Sequence, residues 1–483
     1  MSISSAFSGA LSGLQAFGKA SEIIAANIAN ATTPGYGKRA VVLASSTVAP
    51  GVGVAGISRL ADPVVLAARR TAEAQFAGSE QVAGFYAGFM QNVGTADDPT
   101  SLSGRIATFE AKLIEAASFP DAPARLNSVA QAAVELADAF NRAGNGISDA
   151  RSAADQSIDR QVIRLNVVLS EVDLLNTQIT TAQSRGVDTG GLFDQRQLLI
   201  DEINVMVPVR EVARPNGQVA LFTEAGAILL DGKPAELEFT AVNTVTPFQS
   251  LAGGTLSGLT MNGMAIQTSG QTSPLRGGTL LAQFEIRDQA ALAAQTQLDS
   301  VARDLITRFQ DPAVDATLAP GDPGLFTDAG AAFDPINEAG IASRITINAL
   351  VDPIQSPETW RLRSGLGAVA PGPVGDGSLL NAMRDALSDV RSVASGDLGP
   401  GAQTSSGLMS KLSSWAGAAN FNTEQRLSFL SASYNEMVEQ ELSTGVDTDA
   451  ELQNLLVVEK AYAANARVLA TVDEMMELIL GLG

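Results

Sequence analysis

Any chemistry in this 483-residue chain would have to proceed without imidazole and without thiol, because it has no histidine and no cysteine. Lacking histidine, it has no imidazole general base, no triad of the usual kind and no imidazole metal ligand, and a zinc-protease helix of the HExxH type is impossible. Lacking cysteine, it has no disulfide, thiolate nucleophile or thiolate metal site. Carboxylate chemistry remains. Asp473, Glu474 and Glu477 cluster near the C-terminus, and one helical turn separates Asp473 from Glu477, which puts them on one face. A glycosidase needs two carboxyls facing each other across a pocket; on a terminal helix the same pair reads as a solvated face. Asp194-Gln195-Arg196 follows Gly190-Gly191-Leu192-Phe193, so Asp194 is placed to cap a helix while Arg196 pairs nearby. Gly51-Val52-Gly53-Val54-Ala55-Gly56 is glycine-rich, but it has no lysine and no clear helix after it, so it reads as a turn and not as a phosphate loop. No catalytic residue, no cofactor and no metal site is expected.

Composition points the same way. Hydrophobic residues make up 45 % of the chain and aromatics only 5 %, which favours helices packed through small side chains over a large aromatic-lined pocket. The length suits roughly three domains. A net charge of −21 argues against binding nucleic acid or anionic membrane surfaces. No apolar run approaches the ~18 residues of a membrane helix. Met1 to Ala20 lacks a basic stretch followed by an apolar one, so an ordinary cleaved secretory signal is not expected there.

The elements that would position any site are mostly helices. Ile3, Phe7, Ala10, Leu14, Phe17, Ser21, Ile24 and Ile28 recur at alternating steps of four and three, the heptad seam by which one helix seats on another. That helix should stop at Asn30 to Tyr36, where Pro34 pushes Thr33 out of the α region. The C-terminus mirrors it, with Leu455, Val458, Tyr462, Asn465, Leu469, Val472, Met476 and Ile479 in step and Asn465 placed to fix register. Asp447 and Asp449 suit the positive end of that helix. Residues 1–45 carry a net +2 and residues 445–483 a net −5. The two terminal helices therefore either pair with each other or pack separately on the main body, and pairing is the economical reading.

Between the ends, helices are predicted over 101–118, 123–142, 156–183, 194–205, 280–309 and 423–442. The clearest internal seam is Ile158, Val162, Leu165, Leu169, Val172, Asn176 and Ile179. Valine-rich alternation from Val205 to Phe239, broken by Pro215-Asn216-Gly217, Glu224-Ala225-Gly226 and Asp231-Gly232, predicts strands and turns. Residues 244–278 are strands or a long loop, and 310–376 are rich in proline and glycine with one good strand at Ile345 to Leu350. The expected fold is mainly α with β insertions. Terminal coiled-coil-like helices, 1–50 with 443–483, form an assembly domain. An elongated helical-bundle domain built from both chain halves, 51–310 with 377–442, carries a β-hairpin region near 205–240. A smaller β-rich outer domain covers 311–376.

Asn27-Ile28-Ala29-Asn30 through Thr33-Pro34-Gly35-Tyr36 resembles the N-terminal signature shared by flagellar rod, hook and hook-associated proteins. Gly445-Val446-Asp447, Glu451-Leu452 and Ala461-Tyr462 through Asn465-Ala466-Arg467 to Leu469 resemble their C-terminal signature. Internally, Leu192-Phe193-Asp194-Gln195-Arg196, Asn216-Gly217-Gln218-Val219, and Gly277-Gly278-Thr279-Leu280 with Phe284 to Asp288 are similar to the hook-associated protein 1 family. The chain departs from that pattern at Gln310-Asp311, where the family has Asn and His, and at Glu459-Lys460, where a Gln is usual. The resemblance implies a structural adaptor ring at the hook–filament junction, outside the cell, reached from the cytoplasm through the flagellar type III export channel without a cleaved signal. It implies terminal helices that order on assembly, self-association, contacts with hook protein and with the second junction protein, and an export chaperone on the C-terminal helix. A hook or distal rod protein shares the end signatures. An enzyme carried on flagellar ends, or a cytoplasmic coiled-coil scaffold, are the readings from other classes.

Overall fold

The computed structural model describes residues 3–33, 35–45, 51–95, 97–270, 273–356, 358–399 and 401–481. Helix α1 (Ile3–Ala29) leads into an antiparallel hairpin of β1 (Lys38–Ser45) and β2 (Val52–Leu60). The glycine-rich stretch read as a turn is thus mostly strand, because Gly53 and Gly56 pair with Ala44 and Val42 across the ladder. Asp62 then caps α2 (Pro63–Val93), with its carboxylate accepting from the Val64 and Val65 amides.

Helix α3 (Leu102–Ser118) is followed by α4 (Pro123–Ser184), one helix where two were predicted. Gly144 and Gly146 do not break it, because both sit under packed neighbours. A methyl at Gly144 would lie 2.8 Å from the Ser343 amide, and one at Gly146 would lie 2.6 Å from the Asn92 side chain. Ile158, Val162, Leu165, Leu169, Val172, Asn176 and Ile179 are all buried on α4. They pack on α5 (Gly190–Met206) and on a four-stranded sheet of β3 (Val209–Ala213), β4 (Val219–Thr223), β5 (Ile228–Asp231) and β6 (Lys233–Pro234). Strands β7 (Leu237–Glu238), β8 (Leu259–Met261) and β9 (Met264–Ile266) complete this end, and the other described residues of 244–277 are loop and turn.

Helices α6 (Gly278–Glu285) and α7 (Ala291–Phe309) are joined by a π turn over Ile286–Ala290. Strands β10 (Phe326–Asp328) and β11 (Ile345–Ile347) pair antiparallel, and they are the only ladder among the described residues of 311–376. Leu325, Phe326, Ile341, Ile345, Val351 and Leu362 from this stretch enter the same apolar cluster as Phe109, Leu136, Phe140 and Leu298 of the helices. Helices α8 (Arg361–Ser364) and α9 (Ser378–Ser388) and the short pair β12 (Arg391–Ser392) and β13 (Ala402–Gln403) lead to α10 (Ser405–Thr444). Helix α10 runs antiparallel to α2, with Trp415 edge-on to Phe89 and Tyr434 stacked 5.7 Å from Phe76. Helix α11 (Thr448–Leu480) closes the chain, capped by Asp447.

Long loops are held on this frame by buried arginines. Arg151 donates to the carbonyls of Arg287, Thr246 and Gln249, and Arg308 donates to Asp304 and to the carbonyls of Ala386, Asp389 and Gln403. Both guanidiniums are fully buried, so each bond replaces a lost one to water.

Candidate assembly site

Helices α1 and α11 pack antiparallel, so the pairing left open by the sequence is realised within the chain. Asn27 near the end of α1 meets Glu451 at the start of α11, and Gly13 meets Asn465 fourteen residues further along. The face that α1 buries is Ala10, Gly13, Ala16, Ile23, Ile24 and Asn27. This stripe is rotated by about one residue from the predicted seam, because the close approach uses small residues and leaves the large ones at the edges. Ile3, Leu14, Phe17 and Ile28 are half-buried and Phe7 is exposed. On α11, Val472 is buried, Leu455, Val458, Asn465 and Leu469 are half-buried, and Tyr462, Met476 and Ile479 are exposed. Phe17, Ala25, Leu455, Val458 and Tyr462 line a groove of about 500 Å³ between the two helices. Asp473, Glu474 and Glu477 are exposed, as a solvated face would be.

The base of this pair is a polar network. Asn27 Nδ2 donates to the Arg39 carbonyl at 2.8 Å and to Glu451 Oε2 at 3.1 Å, while its Oδ1 accepts from the Tyr36 hydroxyl at 2.8 Å and from the Arg39 amide at 3.0 Å. Lys38 Nζ lies 2.9 Å from the other oxygen of Glu451. Burial raises the Tyr36 hydroxyl above its usual pKa against the pull of Arg39, so it stays a donor at neutral pH. Asn30 donates to the Ala26 carbonyl and ends α1. Gly35 takes φ +76°, and Leu198 fills the space where a Cβ would stand, so no side chain fits there. Pro34 lies outside the described residues.

Asp194 joins this unit to the body. It does not cap α5. Its Oδ2 accepts from Arg39 at 2.7 Å, and its Oδ1 accepts from Arg59 Nε at 2.9 Å and from the Gly37 amide at 3.1 Å. Arg59 also donates to Gln197. Arg39 and Arg59 are direct partners across the β1–β2 ladder. Like charges opposite each other are destabilising unless an anion lies between them, and Asp194 is that anion. Arg196 points the other way, into the body, donating to Asn176 Oδ1 at 2.9 Å and the Gly217 carbonyl at 2.7 Å. Burial pushes its pKa down to about 10. Asn465 donates to the Ala461 carbonyl within its own helix, and Arg467 is exposed.

Sequence reasoning missed Lys38, Arg39, Arg59, Gln197 and Glu451 as members of the network. The signal was available in part. Two arginines at mirrored positions of a hairpin call for a carboxylate, and Asp194 adjoins an already conspicuous motif. Among the described residues no group of three or more acidic side chains is arranged to hold a metal ion, and no helix is long and apolar enough to cross a membrane.

Comparison with known proteins accounts for both ends and the middle. A model of the flagellar hook-associated protein FlgK helical domain matches residues 90–324. Models of the flagella basal body rod protein and of the flagellar basal body rod FlgEFG protein C-terminal region match 9–36 and 442–482. Flagellar hook-associated protein 1 of Bacillus subtilis (strain 168) is 24 % identical over 95 % of this chain and 94 % of its own length. The chain is similar to the flagellar hook-associated protein 1 family over nearly its whole length. The Escherichia coli (strain K12) member is 22 % identical over 99 % of this chain and 100 % of its own. The solved flagellar hook junction protein FlgK from Burkholderia pseudomallei aligns at a TM-score of 0.45 and 21 % identity, over 54 % of this chain and 46 % of that one. The family is structural and not an enzyme family, and its place is the flagellum. The fold of this chain is mainly helical, with small sheets and long terminal helices.

Proposed function

We propose that this chain is the adaptor subunit joining hook to filament, and that copies of it form a ring through their terminal helices. The observation that carries this reading is the outer face of α11. Leu456, Val457, Val468, Met475 and Leu478 are between 45 % and 67 % exposed, and at helical spacing they project away from the Glu451, Leu455, Val458 and Val472 side that meets α1. A helix apolar on two opposite faces leaves one of them open to water until a partner covers it. Lys460, Arg467 and Glu474 lie among these residues, a net charge of about +1, while Glu22 and Glu459 flank the groove on the other side of the helix pair. An apolar stripe with a slight positive charge and an acid-edged groove on one molecule suit head-to-tail contact between copies, the kind that generates rings and helical tubes.

In this reading residues 1–50 with 443–483 are the assembly domain, 51–310 with 377–442 the elongated body, and 311–376 an outer part. Hook protein lies on one side of the ring and the second junction protein on the other. The chain leaves the cytoplasm unfolded through the flagellar export channel. A cytosolic chaperone covers the apolar C-terminal helix until then, which keeps that surface from associating early. The assembly residues are those of the two seams together with the Asn27 and Asp194 networks.

The test is deletion of the gene, followed by electron microscopy of the cells and assay of flagellin in the medium. Complete hooks without filaments, with flagellin lost to the medium, are expected. Missing hooks would make the chain a hook or distal rod protein. Intact motile filaments would overturn the flagellar role.

A further inference from the structure

The hairpin has little apolar hold on the body. An isolated two-stranded hairpin is marginal in water, and β1–β2 exposes Val42, Leu43, Val54 and Leu60. Its attachment to α5 is mainly polar: Arg39 and Arg59 on Asp194, Arg59 on Gln197, and Gly35 against Leu198. The main chain adds only two short links, Ala61-Asp62 between β2 and α2 and Gly445-Val446-Asp447 between α10 and α11.

The residue that presents its side chain to Asp194 is also the one whose backbone is set by the terminal helices. Asn27 grips both the amide and the carbonyl of Arg39. All four hydrogen-bonding positions of the Asn27 amide are in use, one of them on Glu451. Glu451 is 3 % exposed and, among the described residues, is the acidic group that pairs with Lys38 and accepts from Asn27. Without α11 in place, Asn27 loses an acceptor and Lys38 its counter-charge. Without Asp194, Arg39 and Arg59 face each other across the ladder.

We infer that pairing of the two terminal helices and docking of the hairpin on the body are one coupled transition, transmitted from Glu451 through Asn27 and the Arg39 backbone to Asp194. Ordering of the ends thereby sets the orientation of the body. Asp194 and Glu451 act as positioning residues at the two ends of the relay. The relay bears on the proposed assembly role, but it is a property of a single chain, and its test needs no flagellum.

The absence of cysteine makes that test direct. Spin labels are placed on Ala44→Cys in the hairpin and Gln178→Cys on α4, both exposed, in the full chain, and their distance distribution is measured by pulsed electron resonance. The parent gives one narrow distribution. Asp194→Ala broadens it, with the undocked fraction rising about tenfold, as loss of a charge-assisted pair predicts. Glu451→Ala, on a different helix, broadens it as well, and the double variant is no worse than the more severe single one, because both break the same relay. A distribution left narrow by Glu451→Ala, or a double variant whose effect is the product of the two singles, overturns the coupling. If Glu451→Ala lowers the melting temperature of the body, Asn27→Ala on α1 is read by the same criterion, since it removes the grip on the Arg39 backbone and leaves Asp194 in place.

Discussion

Gly13 is the position where the terminal pair has no room. A methyl group there would lie 2.9 Å from Cγ, Nδ2 and Oδ1 of Asn465 at once. Asn465 is itself tied to the Ala461 carbonyl at 3.0 Å. For Gly13→Ala two effects oppose each other. Helix propensity gains up to about 1 kcal/mol, and displacing Asn465 from its hydrogen bond costs about 0.5–1.5 kcal/mol. The net change should be within about 1 kcal/mol. Gly13→Leu has no such balance. Its side chain cannot be housed by moving one amide, and overpacking of this kind costs about 1–3 kcal/mol. The assay is amide exchange across α1 and α11 in the purified full chain, with α3 and α7 as internal controls. Gly13→Leu should speed exchange in both terminal helices and leave the controls unchanged, and Asn465→Ala in that background should recover most of the protection. If Gly13→Leu leaves the terminal helices as protected as before, or if Asn465→Ala rescues nothing, Gly13 and Asn465 do not set the register of the pair.

The buried pair of Arg287 and Asp155, 2.6 Å apart and at most 1 % exposed, sets the stability of the body. Asp155→Ala leaves Arg287 with Asp288 and the Ser257 carbonyl, and a loss of about 3–5 kcal/mol is expected in urea unfolding; a loss under about 1 kcal/mol would mean that Asp288 suffices. Burial raises the Asp299 carboxyl from 3.8 to about 6, although the Ala342 and Gly340 amides hydrogen-bond to it and pull it down. An acid raised on folding binds its proton more tightly in the native state, so stability should rise as pH falls from about 6 to about 4, by at most about 3 kcal/mol. The difference in urea midpoint between the parent and Asp299→Asn, followed from pH 7 to pH 4, should carry that slope, and a flat difference would refute it. Val457→Glu with Met475→Glu, on the outer face of α11, should leave the fold of the monomer unchanged by circular dichroism and abolish incorporation into flagella in a complemented deletion strain; normal incorporation would show that this face is not an interface.

What could be read in advance followed the range of the interaction. The terminal helices and the α4 seam were legible because a heptad pattern is local. The α1 stripe was misplaced by about one position because periodicity weighs Phe7, Leu14 and Phe17 by size, whereas the contact itself selects Ala10, Gly13 and Ala16 for lack of it. Helix α2 escaped notice although Asp62-Pro63 is a start signal, since the first half of its buried face, with Arg69, Arg70, Ala72, Ala74 and Gly78, carries little apolar contrast. Asp194 was conspicuous, but its partners Arg39 and Arg59 stand 155 and 135 residues earlier, and no local spacing joins them.

The chemistry of the joint differs from that of the body, and the difference has consequences for order of events. The body closes on rings such as Phe109, Phe309 and Phe326, packed within 6 Å of one another. The joint closes on charges. Its pairs are Arg39 and Arg59 with Asp194; behind them, within the body, Arg69 is bound by Glu73, Asp201 and Glu441, and Arg70 by Asp201 and Glu211. Burial alone would lower the Arg69 pKa, but its three carboxylates outweigh burial and raise it, so Arg69 holds its charge on folding. Beside it lies a cleft of about 480 Å³ between Thr33, Tyr36, Gln197, Tyr434, Glu441 and Gly445. Apolar surfaces left open in water seek any partner, whereas charged ones are well solvated when apart. A polar joint can therefore stay open until the terminal helices are paired, and then close without repacking the core.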